Sequence, residues 1–330
     1  MTAPLEVTGA AAEAQPEAAL LGVSRKAIQG RSLGQIAWMR LKRDKVAMAG
    51  GIIVVVLLII AITAYIFDQW LGVLTPNVPH QELIDSETLA PKGTFGGMSA
   101  DHPLGIEPLN GRDILQRIYV GSWISLLIAF LATLLSVTIG TIMGVISGYF
   151  GGWVDAVISR TMDVFLAFPL LVFALALGGM MNTFDVKGMG IRIAVLVFII
   201  GFFNWPYIGR IVRGQTLSLR EREFVDAARS LGARGPYILF RELLPNLVAP
   251  ILVYSTLLIP TNILFESALS FLGVGIQPPT ATWGKMIAEA VTFYNLPHFM
   301  LWPGLAIFIT VLAFNLFGDG LRDALDPRSR

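Results

Sequence analysis

Long apolar runs separated by mostly short polar connections dominate the pattern along this chain. A helix of roughly 20 apolar residues crosses a hydrocarbon core about 30 Å thick, and six segments reach that length. They cover residues 46–67, 118–147, 158–180, 191–212, 247–269 and 299–317. The pattern therefore predicts an all-α membrane protein with six transmembrane helices.

Lysine and arginine in the flanks predict the orientation of these spans. Basic residues cluster before the first span, in the connection between the fourth and fifth spans, and after the sixth span. Cytoplasmic connections carry an excess of these residues, so we expect a multi-pass protein of the cytoplasmic membrane with both termini in the cytoplasm. Arg112 and Arg117 fall on the outer side and are exceptions to the charge rule.

Composition agrees with a membrane protein and divides the chain into three parts. Of the 330 residues, 55% are hydrophobic and only 14% are charged, whereas soluble domains carry about 25% charged residues. Residues 1–34 contain Ala, Glu and Pro without an apolar core, which predicts a disordered cytoplasmic tail. Residues 35–45 form a cytoplasmic basic flank, and residues 46–330 form the transmembrane domain.

The motifs of common enzyme classes are missing from the sequence. It contains no GxSxG, HExxH or GxxxxGK[ST] pattern and no cysteine, and its three histidines lack ligand spacing. We therefore expect no catalytic, cofactor or metal site, and any work driven by ATP requires a separate subunit. A net charge of +1 without a basic-aromatic array gives no indication of nucleic-acid binding.

Small and polar residues inside the spans are candidates for packing and transport. Gly140, Gly144 and Gly148 recur every four residues on one helix face, which lets a neighbouring helix approach closely. Asn204 and Asn262 are candidates for a translocation path.

Two carboxylates in the spans need a partner, a cavity or the interface. Asp163 lies three residues after Arg160, which predicts a local ion pair. Glu266, near the outer boundary, is a further candidate for the translocation path. A proton relay through these two residues is the alternative, although no second carboxylate lies at helical spacing from either.

The connection 220–246 is the one long polar stretch with a helical pattern. Phe224, Ala227, Ala228 and Leu231 follow the i, i+3, i+4, i+7 spacing of one apolar stripe. Gly232 comes where a left-handed residue would end the helix. The pattern fits either a slim helix for a protein groove or an amphipathic helix on the membrane surface.

The same connection resembles the EAA motif in permease subunits of binding-protein-dependent ABC importers. The matching residues are Asp226, Ala227, Ala228 and Gly232, followed by Leu244-Pro245. Asp226 replaces the usual Glu, and Glu242 replaces the usual Ile. The sequences HPLG at 102–105, GYFGG at 148–152, FLGVGIQPP at 271–279 and FNLFGDGLRDALDPR at 314–328 resemble the second permease of dipeptide and oligopeptide importers.

This resemblance, which covers about residues 35–330, implies a type I importer permease that hydrolyses nothing itself. Its implied partners are a homologous second permease, two ATP-binding subunits, an extracytoplasmic solute-binding protein, the peptide substrate and membrane lipid. The helix from Asp226 to Gly232 would be a coupling helix seated in an ATPase groove. The implied docking residues are Phe224, Asp226, Ala227, Ala228, Leu231, Gly232, Leu244 and Pro245.

Two other functions stay open on the sequence. Importers for nickel or glutathione belong to the same class, because the solute-binding protein usually sets selectivity. The other function is an ion-coupled secondary transporter that uses Asp163 and Glu266 and works without ATPase subunits.

Overall fold

The computed structural model describes residues 33–184 and 188–326, and the regular elements of this part of the chain are helices, apart from two isolated β-bridges. Its helices are α1 (Leu33–Leu41), α2 (Lys45–Tyr65), α3 (Ile114–Phe150), α4 (Gly152–Ala167), α5 (Leu170–Thr183), α6 (Met189–Arg220), α7 (Glu223–Ser230), α8 (Gly235–Tyr237), α9 (Leu244–Phe271), α10 (Trp283–Val291) and α11 (Pro297–Leu325). Most of the predicted tail, residues 1–32, lies outside the described residues. Helix α1 begins at Leu33, inside the last two residues assigned to that tail.

Five helical stretches of the described residues are long and apolar enough to cross a membrane. They are Lys45–Trp70, Ile114–Phe150, Met189–Arg220, Gly235–Phe271 and Pro297–Leu325. Helices α4 and α5 form a bent pair that makes a sixth span when counted together. The prediction of an all-α membrane protein is confirmed, and the predicted number of six spans is reached when the bent pair counts as one span.

The prediction of one continuous third span over 158–180 is wrong. Helix α4 ends at Ala167, α5 begins at Leu170, and the two axes are bent by 74°. Pro169 explains the break, because proline has no backbone N–H and disfavours the helical conformation of the residue before it. Phe168 accordingly has an extended backbone, with φ −80° and ψ 128°.

Helix α3 lies at the centre of the membrane domain and packs against α2, α6 and α9. Ile128 of α3, Ile199 and Ile200 of α6, and Ile263 of α9 are fully buried in the main core. Helix α11 closes the other side of α2, where the Gly50 Cα approaches the α11 backbone so closely that a Cβ would lie 2.9 Å from the Ala313 carbonyl oxygen. The outward faces of these helices remain apolar, as a lipid environment requires.

The long connection between α2 and α3 is fastened to the helices by buried charges. Glu107 forms ion pairs with Arg112 and with Arg117, whose Nε lies 3.1 Å from Glu107 Oε2. Glu289 of α10 lies 3.3 Å from Arg117 Nη2. Burial raises the pKa of the Glu107 carboxyl, and the Arg117 and Arg112 guanidinium groups oppose that rise. The two arginines that break the charge rule are therefore neutralised inside the protein.

Candidate functional site

The predicted cytoplasmic helix is α7, and it ends where the sequence indicates. Gly232 has a φ of +82°, a left-handed conformation that glycine adopts without a Cβ penalty. The N–H of Ala233 donates to the Ala228 carbonyl oxygen at 3.0 Å, which satisfies a carbonyl at the end of the helix. A sharp turn then leads into α8, which begins at Gly235-Pro236.

Three buried apolar side chains hold α7 against the rest of the chain. Val225 and Leu243 are fully buried and Ile238 is 1% exposed, and together they form a small core beside Tyr149 of α3. The sequence analysis missed this anchor. The available signal was Val225 itself, the apolar residue of α7 that lies off the predicted stripe.

The predicted apolar stripe faces away from the chain. Leu231 is 89% exposed and Phe224 is 37% exposed, while Val225 between them in sequence is buried. The stripe borders a concavity of about 650 Å³. Its lining consists of Phe224, Ala227, Ala228, Leu231, Gly232, Ala233, Arg234, Tyr237 and Glu242. An exposed apolar stripe on an otherwise anchored helix is a surface suited to a partner.

The remaining predicted docking residues, Asp226, Leu244 and Pro245, are not among the lining residues of this concavity. Asp226 pairs with Arg229 on α7 itself, with 3.2 Å between Oδ1 and Nη1. Leu244 and Pro245 begin α9 and lie outside the lining of the concavity. The π-helical turn Ile238–Leu243 comes directly before them. Because Pro245 has no N–H to continue the α-helical pattern, the wider turn takes up the irregularity, and α8 continues into α9.

Two arginines of α6 connect the 220–246 connection to the membrane helices. Arg220 Nη1 donates to the Gly148 carbonyl oxygen at 3.1 Å, at the end of α3. Arg213 makes a bidentate pair with Asp155 of α4, with N–O distances of 2.5 and 2.7 Å. Paired guanidinium–carboxylate contacts fix orientation as well as distance. The end of α6, where the 220–246 connection begins, is therefore held to α3 and α4.

The glycines at 140, 144 and 148 pack α3 directly on α6. A Cβ at Gly140 would lie 2.7 Å from the Trp205 carbonyl oxygen, and one at Gly144 would lie 2.7 Å from the Gly209 carbonyl oxygen. A Cβ at Gly148 would lie 2.7 Å from Thr216 Cβ. The small residues therefore let the two backbones touch over two helical turns.

Two of the three candidate path residues meet in a hydrogen-bonded chain across helices. Asn204 Nδ2 donates to Asn262 Oδ1 at 3.0 Å, and Asn262 Nδ2 donates to Thr133 Oγ1 at 2.8 Å. Glu266 lies one turn further along α9, fully buried, and accepts from Ser270 Oγ at 2.8 Å. In this conformation Asn262 and Glu266 contact neighbouring helices, so a role in the path requires those helices to separate.

Asp163 forms the predicted ion pair and a second one. Its Oδ2 lies 3.6 Å from Arg160 Nη1, and its Oδ1 also contacts Arg210 of α6. The Asp163 side chain is 47% exposed. The Asp163 carboxylate therefore ties α4 to α6 and is separate from the buried Glu266 site.

Comparison with known proteins identifies the class of this assembly of helices. The family described as "Binding-protein-dependent transport system inner membrane component" matches residues 136–330. The family described as "N-terminal TM domain of oligopeptide transport permease C" matches residues 32–90.

Relatives and a solved structure agree with these matches. The glutathione transport system permease protein GsiD of Shigella flexneri is 42% identical over 292 residues, 88% of this chain and 89% of that protein. The same protein of Shigella boydii is 40% identical over the same shares. An inward-facing structure of the MetNI methionine ABC transporter shares the fold, with a TM-score of 0.52 and 17% identity over 64% of this chain and 98% of that chain. The chain therefore belongs to the inner-membrane components of binding-protein-dependent transport systems, as a non-catalytic ABC importer permease of the oligopeptide permease C kind.

Proposed function

We propose that this permease subunit moves short peptides into the cytoplasm, with glutathione, itself a tripeptide, as the specific candidate. The family establishes an ABC importer that depends on a binding protein and ATPases. The permease C match supports a peptide substrate. The relatives at 40–42% identity that are named as glutathione permeases support the narrower candidate.

The observation that carries the docking role is the exposed stripe of α7. Apolar side chains at Phe224 and Leu231 point away from the chain although Val225 anchors the same helix. A membrane-surface helix would also expose an apolar stripe. The concavity beside α7 favours a protein partner, because a shaped recess with charged groups at its wall complements a folded surface better than it complements lipid.

The contacts of α6 give this docking surface a mechanical connection to the membrane. Arg220 holds the start of the segment to the end of α3, and the glycine face at 140, 144 and 148 makes α3 and α6 one packed unit. When the ATPase subunits close on ATP, α7 moves with them and carries α3 and α6. That motion would separate the helices around Asn262 and Glu266 and open the path to the opposite side, which is alternating access.

We place α7 on the cytoplasmic side of the cytoplasmic membrane, with both termini on the same side. The excess of arginine in the 213–246 connection supports this orientation. A homologous second permease would cover part of the apolar helix faces, and lipid would cover the rest.

The docking role is tested with Leu231→Asp in the complete transporter reconstituted with its ATPases and binding protein. Leu231 is 89% exposed, so its replacement leaves the packing of the chain intact. A contact of this kind at the centre of an interface is worth about 2 kcal/mol or more. We expect the affinity for the ATPase subunits to fall by roughly thirtyfold, and ATPase retention and ATP-driven uptake to fall with it.

Tyr294→Asp is the matched control, because Tyr294 is 85% exposed in the connection between α10 and α11. It should retain the ATPases fully. Full ATPase retention in Leu231→Asp would contradict the docking role.

The substrate is tested by uptake into proteoliposomes that contain the complete transporter. Radiolabelled glutathione and an unmodified dipeptide are supplied with the binding protein, with and without ATP inside. ATP-dependent uptake of glutathione supports the narrow candidate, and uptake of the dipeptide alone supports the broader peptide class. Transport by this chain alone under an ion gradient would instead support a secondary transporter.

A further inference from the structure

We propose that Glu242 is a specificity residue for the ATPase partner and receives an arginine or lysine side chain from it. The inference rests on the proposed docking function and goes beyond it by naming the chemistry that enters the concavity beside α7. It starts from Glu242, the one carboxylate among the residues that line the concavity.

The position of Glu242 in the wall of the concavity is the first observation. The residue is half-buried in the π-helical turn that leads into α9. Its neighbour Leu243 is fully buried, which fixes the backbone and leaves the Glu242 side chain among the lining residues. The fold of the chain thus places Glu242 in the wall of the concavity.

The second observation is that Glu242 has no cationic partner of its own. Among the described residues, the Glu242 carboxylate forms no ion pair, whereas Asp226, Asp155 and Glu221 each pair with an arginine. The backbone carbonyl of Glu242, rather than its side chain, accepts from Asn246 Nδ2 at 2.7 Å. A half-buried carboxylate without a cation favours binding one.

The surroundings of Glu242 determine which kind of cation fits. Ala227, Ala228, Leu231 and Tyr237 give the recess apolar walls. Lysine and arginine cover such walls with their methylene stems while the charged head reaches a carboxylate. Tyr237, also in the lining, adds an aromatic ring, a side chain that attracts cations to its face. A free inorganic cation would gain nothing from these walls.

The size of the recess indicates that the side chain arrives on a folded segment. About 650 Å³ exceeds the volume of one side chain several times over. A helix end or loop of the ATPase would fill it, with the basic residue against Glu242. Arg234 is exposed in the lining and forms no ion pair among the described residues. In the proposed complex it faces the acidic or polar side of the same segment.

The experiment measures binding of the purified ATPase subunits to the permease pair in nanodiscs at several salt concentrations. Glu242→Gln keeps the shape and removes the charge. We expect its affinity to fall by about tenfold to a hundredfold at low salt, the range for losing a hydrogen bond to a charged group. The salt dependence should also become shallower, because a charge pair is screened by salt.

Glu223→Gln is the matched control, since Glu223 is an exposed carboxylate of α7 outside the concavity. Equal effects of Glu242→Gln and Glu223→Gln would overturn the inference. Loss of binding in Leu231→Asp with normal binding in Glu242→Gln would overturn the inference while leaving the docking function in place. Normal binding in both Leu231→Asp and Glu242→Gln would overturn the inference and the docking function together.

A charge-reversal series identifies the partner residue. Glu242→Lys should abolish uptake, and replacement of single surface arginines or lysines of the ATPase by Glu should restore it at one position. Thermal unfolding of the Glu242→Lys complex checks that the permease remains folded. Failure of every such replacement in a complete scan, with the folded permease present, would count against the proposed pair.

Discussion

Replacing Gly144 by alanine tests whether the contact between α3 and α6 is as close as the structure shows. The new Cβ would lie 2.7 Å from the Gly209 carbonyl oxygen and 2.8 Å from Val212 Cβ. Neither neighbour is the flexible end of a side chain, so the helices themselves must move apart. Overpacking of this kind costs about 1–3 kcal/mol.

Gly214→Ala supplies the control for this measurement. Gly214 lies on α6, and a Cβ there meets no atom within 4 Å. Both substitutions share the gain in helix propensity, about 1 kcal/mol in a helix interior. The difference between the two variants therefore isolates the cost of packing, and we expect Gly144→Ala to be less stable than Gly214→Ala by about 1–3 kcal/mol.

Unfolding of the purified permease by SDS in mixed micelles, followed by circular dichroism, measures this difference. The same two variants in proteoliposomes should also differ in transport, because a loosened α3–α6 unit transmits less of the α7 motion. Gly144→Ala should then hydrolyse ATP with reduced uptake per ATP. Equal unfolding midpoints for the two variants would refute the close contact and the rigid unit derived from it.

Two further substitutions test the anchors on either side of the membrane. Val225→Ala removes two buried methyl groups of α7 and should destabilise the 220–246 connection by about 2 kcal/mol. This loss should be seen as faster proteolysis within 220–246. Leu231→Ala should leave the proteolysis rate unchanged, because Leu231 is exposed. Glu107→Gln removes one of the two carboxylates that pair with the buried Arg117 and leaves Glu289 as the other, so it should cost about 3 kcal/mol, the lower end of the range for breaking a buried pair. Amide exchange over 81–113 should then rise, while Glu82→Gln, whose side chain is 68% exposed, should not change it. Unchanged exchange in Glu107→Gln would contradict the fastening role of the network.

Much of the 220–246 connection could be predicted from the conformations that its individual residues favour. The end of α7 at Gly232 and the start of α8 at Gly235-Pro236 follow from the conformations that these residues adopt. The glycine spacing on α3 also indicated a close helix neighbour. Its identity as α6 was not predictable, since any apolar helix satisfies the same spacing.

Other features were not predicted from the sequence, one because the hydropathy pattern hid it and the rest because they join residues far apart in sequence. The break at Phe168-Pro169 had a local cause, yet apolar composition on both sides hid it in the hydropathy pattern. The hydrogen bond between Asn204 and Asn262 joins residues that share no local pattern. The pairing of Arg117 with Glu289 likewise joins two charges that lie far apart in the sequence.

The sequence by itself determined that the chain is an all-helical membrane protein, because the hydropathy of a span is a property of one short stretch of the chain. Its local motifs, which are also short, resemble those of importer permeases. Only the tertiary structure decided which side of α7 is free. Val225 turns inward because Ile238, Leu243 and Tyr149 bury it, and that burial turns Leu231 outward. The same packing places Glu242 in the wall of the concavity, since the direction of a side chain depends on what the opposite face of its helix contacts.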